Sequence, residues 1–272
     1  MKTITIDPIT RLEGHGKINI FLDEHGDVEN AYLQIPELRG FEKFSEGRRA
    51  EDMPQITSRI CGVCPVAHHI AATKALDAAF NVDPPVAAKK LRELLYCGYI
   101  IYDHILHFYF LGGPDFVVGP EAPASKRNIL GVIEKAGLDV AKEVIKHRAY
   151  GQKITAILGG KATHPVSGLP GGVSKGLVKD EVKEIKDMIA SCNTFAKFTL
   201  DLFDDIVLKN KEYVDLIRSD PYTLKIYNMG LVDKQNKVNF YDGLIRVTDQ
   251  EGNQLEKFDG KDYTKHIAER VE

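Results

Sequence analysis

Four long segments whose apolar residues recur with helical period constrain the fold of this chain more than any other feature. They cover residues 65–80, 86–111, 125–150 and 180–217. An apolar stripe along a helix has to be buried against another element, so four such segments predict a helix bundle. The clusters Asn81-Val82-Asp83-Pro84-Pro85 and Gly112-Gly113-Pro114 predict the ends of the first and second helices.

Both ends of the chain follow the two-residue alternation that is typical of β-strands. At the N-terminus the alternation covers residues 2–6, 17–22 and 28–35. The turn signal Glu24-His25-Gly26-Asp27 separates the last two of these runs and predicts a β-hairpin. Beyond Pro221 the chain returns to short alternating runs with turn signals at 233–236 and 249–253, which predict further strands.

The predicted fold class is α+β and predominantly helical, with a long-helix bundle as its core. An N-terminal β-hairpin and a β-rich C-terminal segment flank this core. We expect a single domain over 1–272, made of a β-rich part (1–60), a helical bundle (61–220) and a β-rich segment with a charged tail (221–272). Residues 261–272 form that tail, and their charge pattern allows a short helix.

The composition restricts the class of protein. A net charge of −3 gives no reason to expect nucleic acid or an acidic membrane surface as a partner. No apolar run approaches the length of a membrane span, and the N-terminus lacks the apolar region of a signal peptide. We therefore expect a cytoplasmic protein. Its four cysteines are too few for a disulfide framework in a chain of 272 residues.

The strongest local motif is the pair Cys61-Gly62-Val63-Cys64, directly before the first predicted helix. Two thiols separated by two residues can point at one metal ion, and Gly62 permits the turn between them. The partial positive charge of the helix N-terminus is expected to favour thiolate over thiol. His68 follows Cys64 by one helical turn and can donate a hydrogen bond to its sulfur.

Several interpretations of this pair remain open on chemistry alone. A zinc ribbon would need a second cysteine pair, and a thioredoxin-type dithiol would need a βαβ context. Two buried thiols without a ligand are the plainest alternative. Thiolates suit nickel, copper(I), zinc and iron–sulfur clusters, so the metal is undetermined. Cys97 and Cys192 lie in helical runs and are predicted to be inert core thiols.

Three further acidic residues stand in suggestive contexts. Glu13, within Arg11-Leu12-Glu13-Gly14-His15, belongs either to a proton relay or to a salt-bridged turn. Glu42 is a hard-metal ligand or a surface acid. Asp115 follows the Gly-Gly-Pro cluster, where capping a helix is the ordinary role of Asp. The stretch His164–Gly172 is too rich in Gly and Pro for a helix and too apolar for a solvated linker.

In this order, the motifs resemble those of the large subunit of [NiFe]-hydrogenases. The resemblance rests on Asp7-Pro8-Ile9-Thr10-Arg11-Leu12-Glu13-Gly14-His15, then Arg39-Gly40-Phe41-Glu42, then Arg59-Ile60-Cys61-Gly62-Val63-Cys64 with His68. It extends from residue 3 to at least 120, and more weakly through His164–Gly172. The sequence is most similar to the cytoplasmic, methyl-viologen-reducing type that is associated with heterodisulfide reductase.

The resemblance implies a nickel held by four thiolates, two of which bridge to an iron that carries carbonyl and cyanide ligands. Cys61 matches the terminal nickel ligand and Cys64 the bridging one. His68 matches the histidine that hydrogen-bonds the bridging sulfur. Glu13 matches the carboxylate that passes protons from a terminal thiolate, and Asp115 an acid near the metal pair.

The resemblance also implies the reaction and its partners. Glu42 matches a ligand of a magnesium or iron ion. H₂ would be cleaved heterolytically, with electrons passed first to an iron–sulfur small subunit, then to subunits of the flavin or heterodisulfide-reductase type. Four cysteines cannot hold both a nickel centre and a cluster, and no glycine-rich nucleotide loop is evident. We therefore expect no nucleotide or flavin in this chain.

The sequence departs from the family pattern after residue 64, because no second Cys-x-x-Cys follows. The catalytic arginine of the family is absent as well. We expect a truncated large subunit whose remaining two thiolates come from elsewhere, and enzyme activity depends on that supply. The alternatives are a non-catalytic hydrogenase-like scaffold and a protein like the quinone-site subunit of respiratory complex I, which typically lacks the cysteine pair.

Overall fold

The computed structural model describes residues 2–268 of the chain. Its N-terminal sheet is antiparallel and consists, in spatial order, of β1 (Lys2–Ile6), β2 (Lys17–Leu22) and β3 (Val28–Gln34). Asp23 closes the turn between β2 and β3, because its Oδ1 accepts hydrogen bonds from the N–H groups of His25 and Asp27 at 2.8 and 2.9 Å. Asp favours turns through such bonds to its own backbone. The predicted hairpin is confirmed.

The α-helices within residues 2–268 are α1 (Phe41–Ser45), α2 (Met53–Thr57), α3 (Pro65–Ala79), α4 (Val86–Leu106), α5 (Gly113–Val117), α6 (Ile129–Ala136), α7 (Leu138–Gly159), α8 (Lys179–Phe203) and α9 (Lys211–Ile217). Pro65 opens α3, where its missing N–H costs no hydrogen bond. The helices predicted to begin at 65 and 86 are confirmed. No helix in this range is both long enough and apolar enough to cross a membrane.

The Gly-Gly-Pro cluster does not end the second long helix, which corrects the sequence prediction. A π-helix over His107–Gly112 follows α4, and α5 continues the helical path to Val117. Pro114 lies in the first turn of α5, where no intrahelical partner for its nitrogen is needed. The helix-breaking signal therefore marks a change of hydrogen-bond register rather than an end.

The two other predicted helices are each interrupted. Gly137 has a φ of 90° and separates α6 from α7, which then runs nine residues beyond the predicted end, to Gly159. The predicted helix over 180–217 is divided into α8, a π-helix over Asp204–Leu208, and α9. Asn210 caps α9, since its side chain accepts hydrogen bonds from the second and third N–H groups that follow.

The chain divides into two compact units between Ile206 and Val207. In the first unit, α4 packs along α7 and α7 packs against α8. A Cβ added at Gly151 would lie 3.0 Å from the Gly98 carbonyl oxygen, so a glycine is required for this close approach. Tyr109, Val144 and Phe195 form a core cluster in the same unit. The single domain expected over 1–272 stays a prediction.

The second unit contains the antiparallel sheet β6 (Asn228–Val232), β7 (Leu244–Thr248) and β8 (Gln254–Phe258), in that order. The β-rich segment is therefore confirmed. Asp249 closes the last turn in the manner of Asp23, with Oδ1 accepting from the N–H groups of Glu251 and Asn253 at 3.0 and 2.7 Å. The charged tail begins with a 3₁₀-helix over Gly260–Lys265, and its residues 269–272 lie outside the described residues.

The stretch His164–Gly172 is neither helix nor free linker, as predicted. It contains the short strand β4 (Gly168–Leu169) and the first residue of β5 (Gly172–Val173), and the two strands pair antiparallel. A fully buried arginine, Arg92 of α4, holds this hairpin. Its guanidinium donates to the Leu169 and Gly172 carbonyl oxygens at 2.8 Å each and pairs with Asp77 of α3 at 2.5 Å.

Replacing Arg92 with Met should lower the free energy of unfolding by about 3–5 kcal/mol. Asp77 would keep its largely buried position without a charge partner, and two carbonyls would lose their donor. Chemical denaturation measures this loss. The control is Arg49→Met, which removes an exposed pair with Asp52 and should cost less than about 1 kcal/mol. Equal losses in the two variants would contradict the role assigned to Arg92.

Candidate metal centre

Glu13 lies in the loop between β1 and β2. The loop is closed by a backbone hydrogen bond from the Ile9 N–H to the Gly16 carbonyl oxygen at 3.0 Å. Arg11 has a φ of 56° and Gly14 a φ of 78°, so the chain turns twice through left-handed backbone around Glu13. That conformation is uncommon for a residue with a Cβ, and tertiary contacts have to maintain it at Arg11.

The contacts that hold Arg11 come from the Leu111 carbonyl oxygen, at 2.5 Å, and from Asp115. The guanidinium donates to both carboxylate oxygens, at 2.9 and 2.7 Å, and Arg127 donates to one of them at 3.1 Å. Burial alone would raise the pKa of Asp115, but the hydrogen bonds and charges of the two arginines outweigh it and lower the pKa. Asp115 therefore remains ionised and anchors the Glu13 loop.

This geometry corrects the prediction for Asp115 and shows that the two interpretations of the Glu13 motif are compatible. Asp115 does not cap a helix, because it lies inside the first turn of α5 and the cap position is Gly112. The salt-bridged turn expected at Arg11 is present. The same turn also presents Glu13 to a thiol, so the two interpretations of the motif are compatible.

The thiol pair stands at the start of α3. Cys61 is in extended backbone after a 3₁₀-turn over Ser58–Ile60, and Cys64 is the residue before the helix. The Cys64 N–H donates to the Cys61 sulfur at 3.1 Å. The Cys61 thiol in turn donates to Glu13 Oε1 at 3.1 Å, across 48 residues of sequence. Three of the predicted site residues are thus in direct contact.

The protonation state of Cys64 differs from the prediction. Burial, the neighbouring Cys61 thiol, and the charges of Glu13 and Asp103 together raise the pKa of the Cys64 thiol to about 12. These effects outweigh the helix N-terminus, which was expected to favour thiolate. At neutral pH the thiol remains protonated until a cation takes the place of the proton.

Asp103 is a charged neighbour of this site that sequence reasoning missed. It lies on α4, is partly buried, and accepts a hydrogen bond from Tyr99. Burial raises the pKa of its carboxyl, and the charge of Glu13 adds to the rise. Its signal in the sequence is the spacing of four residues from Tyr99, which places both on one helix face.

The remaining predicted residues are not part of the contact cluster. His68 is half-buried on α3, and its hydrogen bond to Cys64 stays a prediction. Burial lowers the pKa of His68. Glu42 is exposed on α1. No group of three or more His, Cys, Asp or Glu side chains in the described range could hold a metal ion.

The two other cysteines differ from each other. Cys192 is buried on α8, as predicted for a core thiol, whereas Cys97 is exposed on α4, which corrects its prediction. Periodicity alone placed Cys97 on the wrong side of its helix. Neither thiol joins Cys61 and Cys64.

The donor chemistry of the site fits a soft metal. Two half-buried thiols on one turn, with a carboxylate that can take a proton from one of them, match half of a four-thiolate nickel site. Two thiols do not complete such a site. The residues present therefore fit the implied metal as a partial ligand set.

Comparison with known proteins decides the family. A family profile described as HoxL-like matches residues 3–38, and one described as nickel-dependent hydrogenase matches residues 39–127. An F420-non-reducing hydrogenase iron-sulfur subunit from Archaeoglobus profundus is 48% identical and covers 100% of this chain. A vhu-type F420-non-reducing hydrogenase subunit from Methanocaldococcus jannaschii is 46% identical, again over 100% of this chain. The chain belongs to the nickel-dependent hydrogenase family.

Solved structures of nickel-dependent hydrogenases agree with the fold. A NAD⁺-reducing [NiFe]-hydrogenase in the H₂-reduced state has a TM-score of 0.92 and 33% identity, covering 100% of this chain and 60% of that one. The [NiFeSe]-hydrogenase of Desulfovibrio vulgaris Hildenborough has a TM-score of 0.75 and 29% identity, covering 95% of this chain and 54% of that one. The predicted fold class and family are confirmed.

The chain spans 56% and 63% of the length of the two curated hydrogenase relatives. The region that matches the nickel-dependent hydrogenase profile includes Cys61, Cys64 and Asp115. The region that matches the HoxL-like profile includes Glu13. The contact of Glu13 with Cys61 therefore joins the two regions that the profiles recognise separately.

Asp115→Asn should loosen the loop that carries Glu13, because the arginines would lose their charged acceptor. We expect faster amide hydrogen exchange in residues 9–16. The control is Asp52→Asn, which removes the partner of exposed Arg49 and should leave exchange in that loop unchanged. Unchanged exchange in the Asp115 variant would show that the ion pair does not anchor Glu13.

Proposed function

We propose that this chain is the part of a [NiFe]-hydrogenase large subunit that supplies two thiolates and the first proton acceptor for reversible cleavage of H₂. One observation carries the proposal. In a chain of this family, the Cys61 sulfur contacts both the Glu13 carboxylate and the Cys64 N–H, each at 3.1 Å. The sulfur that would bind the metal is therefore in contact with a proton acceptor and with the residue that precedes α3.

Cys61 and Cys64 would hold a nickel–iron centre, Cys61 as a terminal nickel ligand and Cys64 as a ligand shared with iron. Such a centre, with carbonyl and cyanide ligands on its iron, supplies the electron chemistry of heterolytic H₂ cleavage. Binding it requires both thiols to lose their protons. The cation favours that loss, because its charge offsets the burial and negative neighbours that raise the pKa of Cys64.

Glu13 would move the proton. A proton on the Cys61 sulfur lies in an existing hydrogen bond to Glu13 Oε1, so its transfer needs no rearrangement of the loop. Glu13 is exposed and can pass the proton on to water. Asp115 acts as a positioning residue, since it holds Arg11 two positions before Glu13.

Other parts of the proposal rest on family membership. His68 would donate a hydrogen bond to the Cys64 sulfur, and Glu42 would bind a magnesium or iron ion. The remaining two thiolates would come from chain outside this sequence. A cytoplasmic location is part of the same proposal, and its support is the similarity of the motifs to the cytoplasmic, methyl-viologen-reducing type.

Electrons would leave through an iron–sulfur small subunit, followed by a flavin or heterodisulfide-reductase type subunit. The nickel site would use Cys61 and Cys64, and the two cysteines that remain in these 272 residues cannot hold a cluster, so the clusters would lie outside them. A relative with 34% identity is named as the β subunit of the NAD-reducing hydrogenase HoxS of Cupriavidus necator, so that hydrogenase has several subunits.

Cys64→Ser should abolish nickel retention in the assembled hydrogenase complex, because a hydroxyl is a poor ligand for a soft metal. Elemental analysis and infrared spectroscopy of the carbonyl and cyanide bands measure the outcome. Cys97→Ser is the matched control and should retain nickel, since Cys97 lies outside the site. Unchanged nickel in the Cys64 variant would defeat the ligand assignment. A wild-type complex without nickel or these bands would favour the scaffold alternative.

Glu13→Gln should retain nickel but slow H₂ turnover by about 10²-fold or more, the usual contribution of a positioned proton acceptor. Gln preserves the size of the side chain and cannot accept the proton as a carboxylate does. Glu24→Gln, in the exposed turn between β2 and β3, is the control and should turn over normally. Equal activities with equal nickel content would remove the proton-transfer role from Glu13.

A further inference from the structure

The turn that carries the thiols is exposed at Gly62. A Cβ added at Gly62 would meet no atom within 4 Å, so the middle of the Cys61–Cys64 turn faces open space. Its placement has to come from the two flanks. On one side Cys64 leads into α3, and on the other side Cys61 follows the 3₁₀-turn that begins at Ser58.

Ser58 is a fixed point in that flank. It is fully buried, and its hydroxyl donates to the Gln55 carbonyl oxygen at 2.8 Å. Arg59 donates to the same carbonyl and to the Ser58 hydroxyl, at 3.0 and 2.9 Å. The Ser58 carbonyl oxygen accepts a hydrogen bond from His164 Nδ1 at 2.9 Å, across 106 residues of sequence. His164 therefore contacts the backbone three residues before Cys61.

The stretch that contains His164 is held by hydrogen bonds from neighbouring helices. The buried His69 of α3 accepts the Gly168 N–H on Nε2 at 2.9 Å and donates from Nδ1 to the Pro54 carbonyl oxygen at 3.1 Å. Burial lowers the pKa of His69, which favours the neutral ring that can do both. Arg92 and Asp77 hold the same hairpin from α4 and α3. Because this stretch is held at several points, its contact with Ser58 can hold the Ser58 carbonyl in place.

His164 also stands in an unusual conformation. Its φ is 55°, in the left-handed region that favours glycine and tolerates asparagine. The turn before it follows Gly160, which has a φ of 81°. A histidine kept in this backbone conformation has a role that glycine would not fill, and the hydrogen bond to Ser58 is the contact that accounts for it.

We propose that His164 is a positioning residue for the thiol pair: by holding the Ser58 carbonyl, it sets the Cys61 sulfur against Glu13 and the Cys64 N–H. The effect of His164 on H₂ turnover rests on the proposed function, whereas the placement of the Cys61 sulfur does not. Placement matters at this scale, because a displacement of about 1 Å can cost about 10²-fold in rate where proton donor and acceptor must stay aligned.

Two variants separate the hydrogen bond from the backbone conformation. His164→Gly favours the left-handed backbone and removes the donor. His164→Asn tolerates the same backbone and places its amide nitrogen where the Nδ1 of histidine stands, so it can restore the bond to Ser58. The readout is the rate at which iodoacetamide alkylates each cysteine of the metal-free protein, followed by mass spectrometry. Exposed Cys97 serves as the internal reference.

We expect His164→Gly to raise the alkylation rate of Cys61 relative to Cys97 by about threefold to tenfold, the effect of losing one hydrogen bond. His164→Asn should return the rate to that of the wild type. An unchanged Cys61 rate in the Gly variant would overturn the proposal, as would an Asn variant that behaves like Gly. Because this assay needs no metal, its outcome is independent of whether the assembled complex contains nickel.

Discussion

A buried guanidinium is the constraint on which the rest of the metal-site region depends. Arg92 has no access to solvent, so its donors must all find acceptors inside the protein. It finds them on Asp77 and on two carbonyls of the hairpin that follows His164. The hairpin is thereby pinned to α3 and α4. Through His164 and Ser58, the same hairpin reaches the segment that ends at Cys61.

Electrostatics determine what the site can accept. Cys61, Cys64, Glu13 and Asp103 bring acidic groups together, and mutual repulsion and burial keep the Cys64 thiol protonated. A divalent cation at this site would relieve both effects at once, so that its binding would be coupled to deprotonation. Asp115 behaves in the opposite way, because two arginines keep it ionised. Asp115 thus anchors the loop, while the exchange of a proton belongs to the role proposed for Glu13.

Sequence periodicity found most elements but not their interruptions. The strands of the first sheet and the starts of α3 and α4 follow from alternation, turn residues and Pro65, all of which act locally. The breaks at Gly137 and Asn210 also have local causes, but each is a single residue inside a periodic stretch. The π-helix after α4 ends at the Gly-Gly-Pro cluster, a local signal that is equally compatible with the end of a helix. Cys97 shows the same limit, since a helical pattern does not say which face the rest of the fold leaves exposed.

By itself, the sequence determined the family, the fold class and the chemical character of the site, because motifs and periodicity are properties of short segments. Only the tertiary structure decided which of these segments meet. Glu13 reaches Cys61 across 48 residues, Arg11 reaches Asp115 across 104, and His164 reaches Ser58 across 106. Such pairs are set by how helices and hairpins pack, and packing depends on the whole chain rather than on any local pattern. The thiols and Glu13 were recognisable in the sequence, but the contacts among them were not.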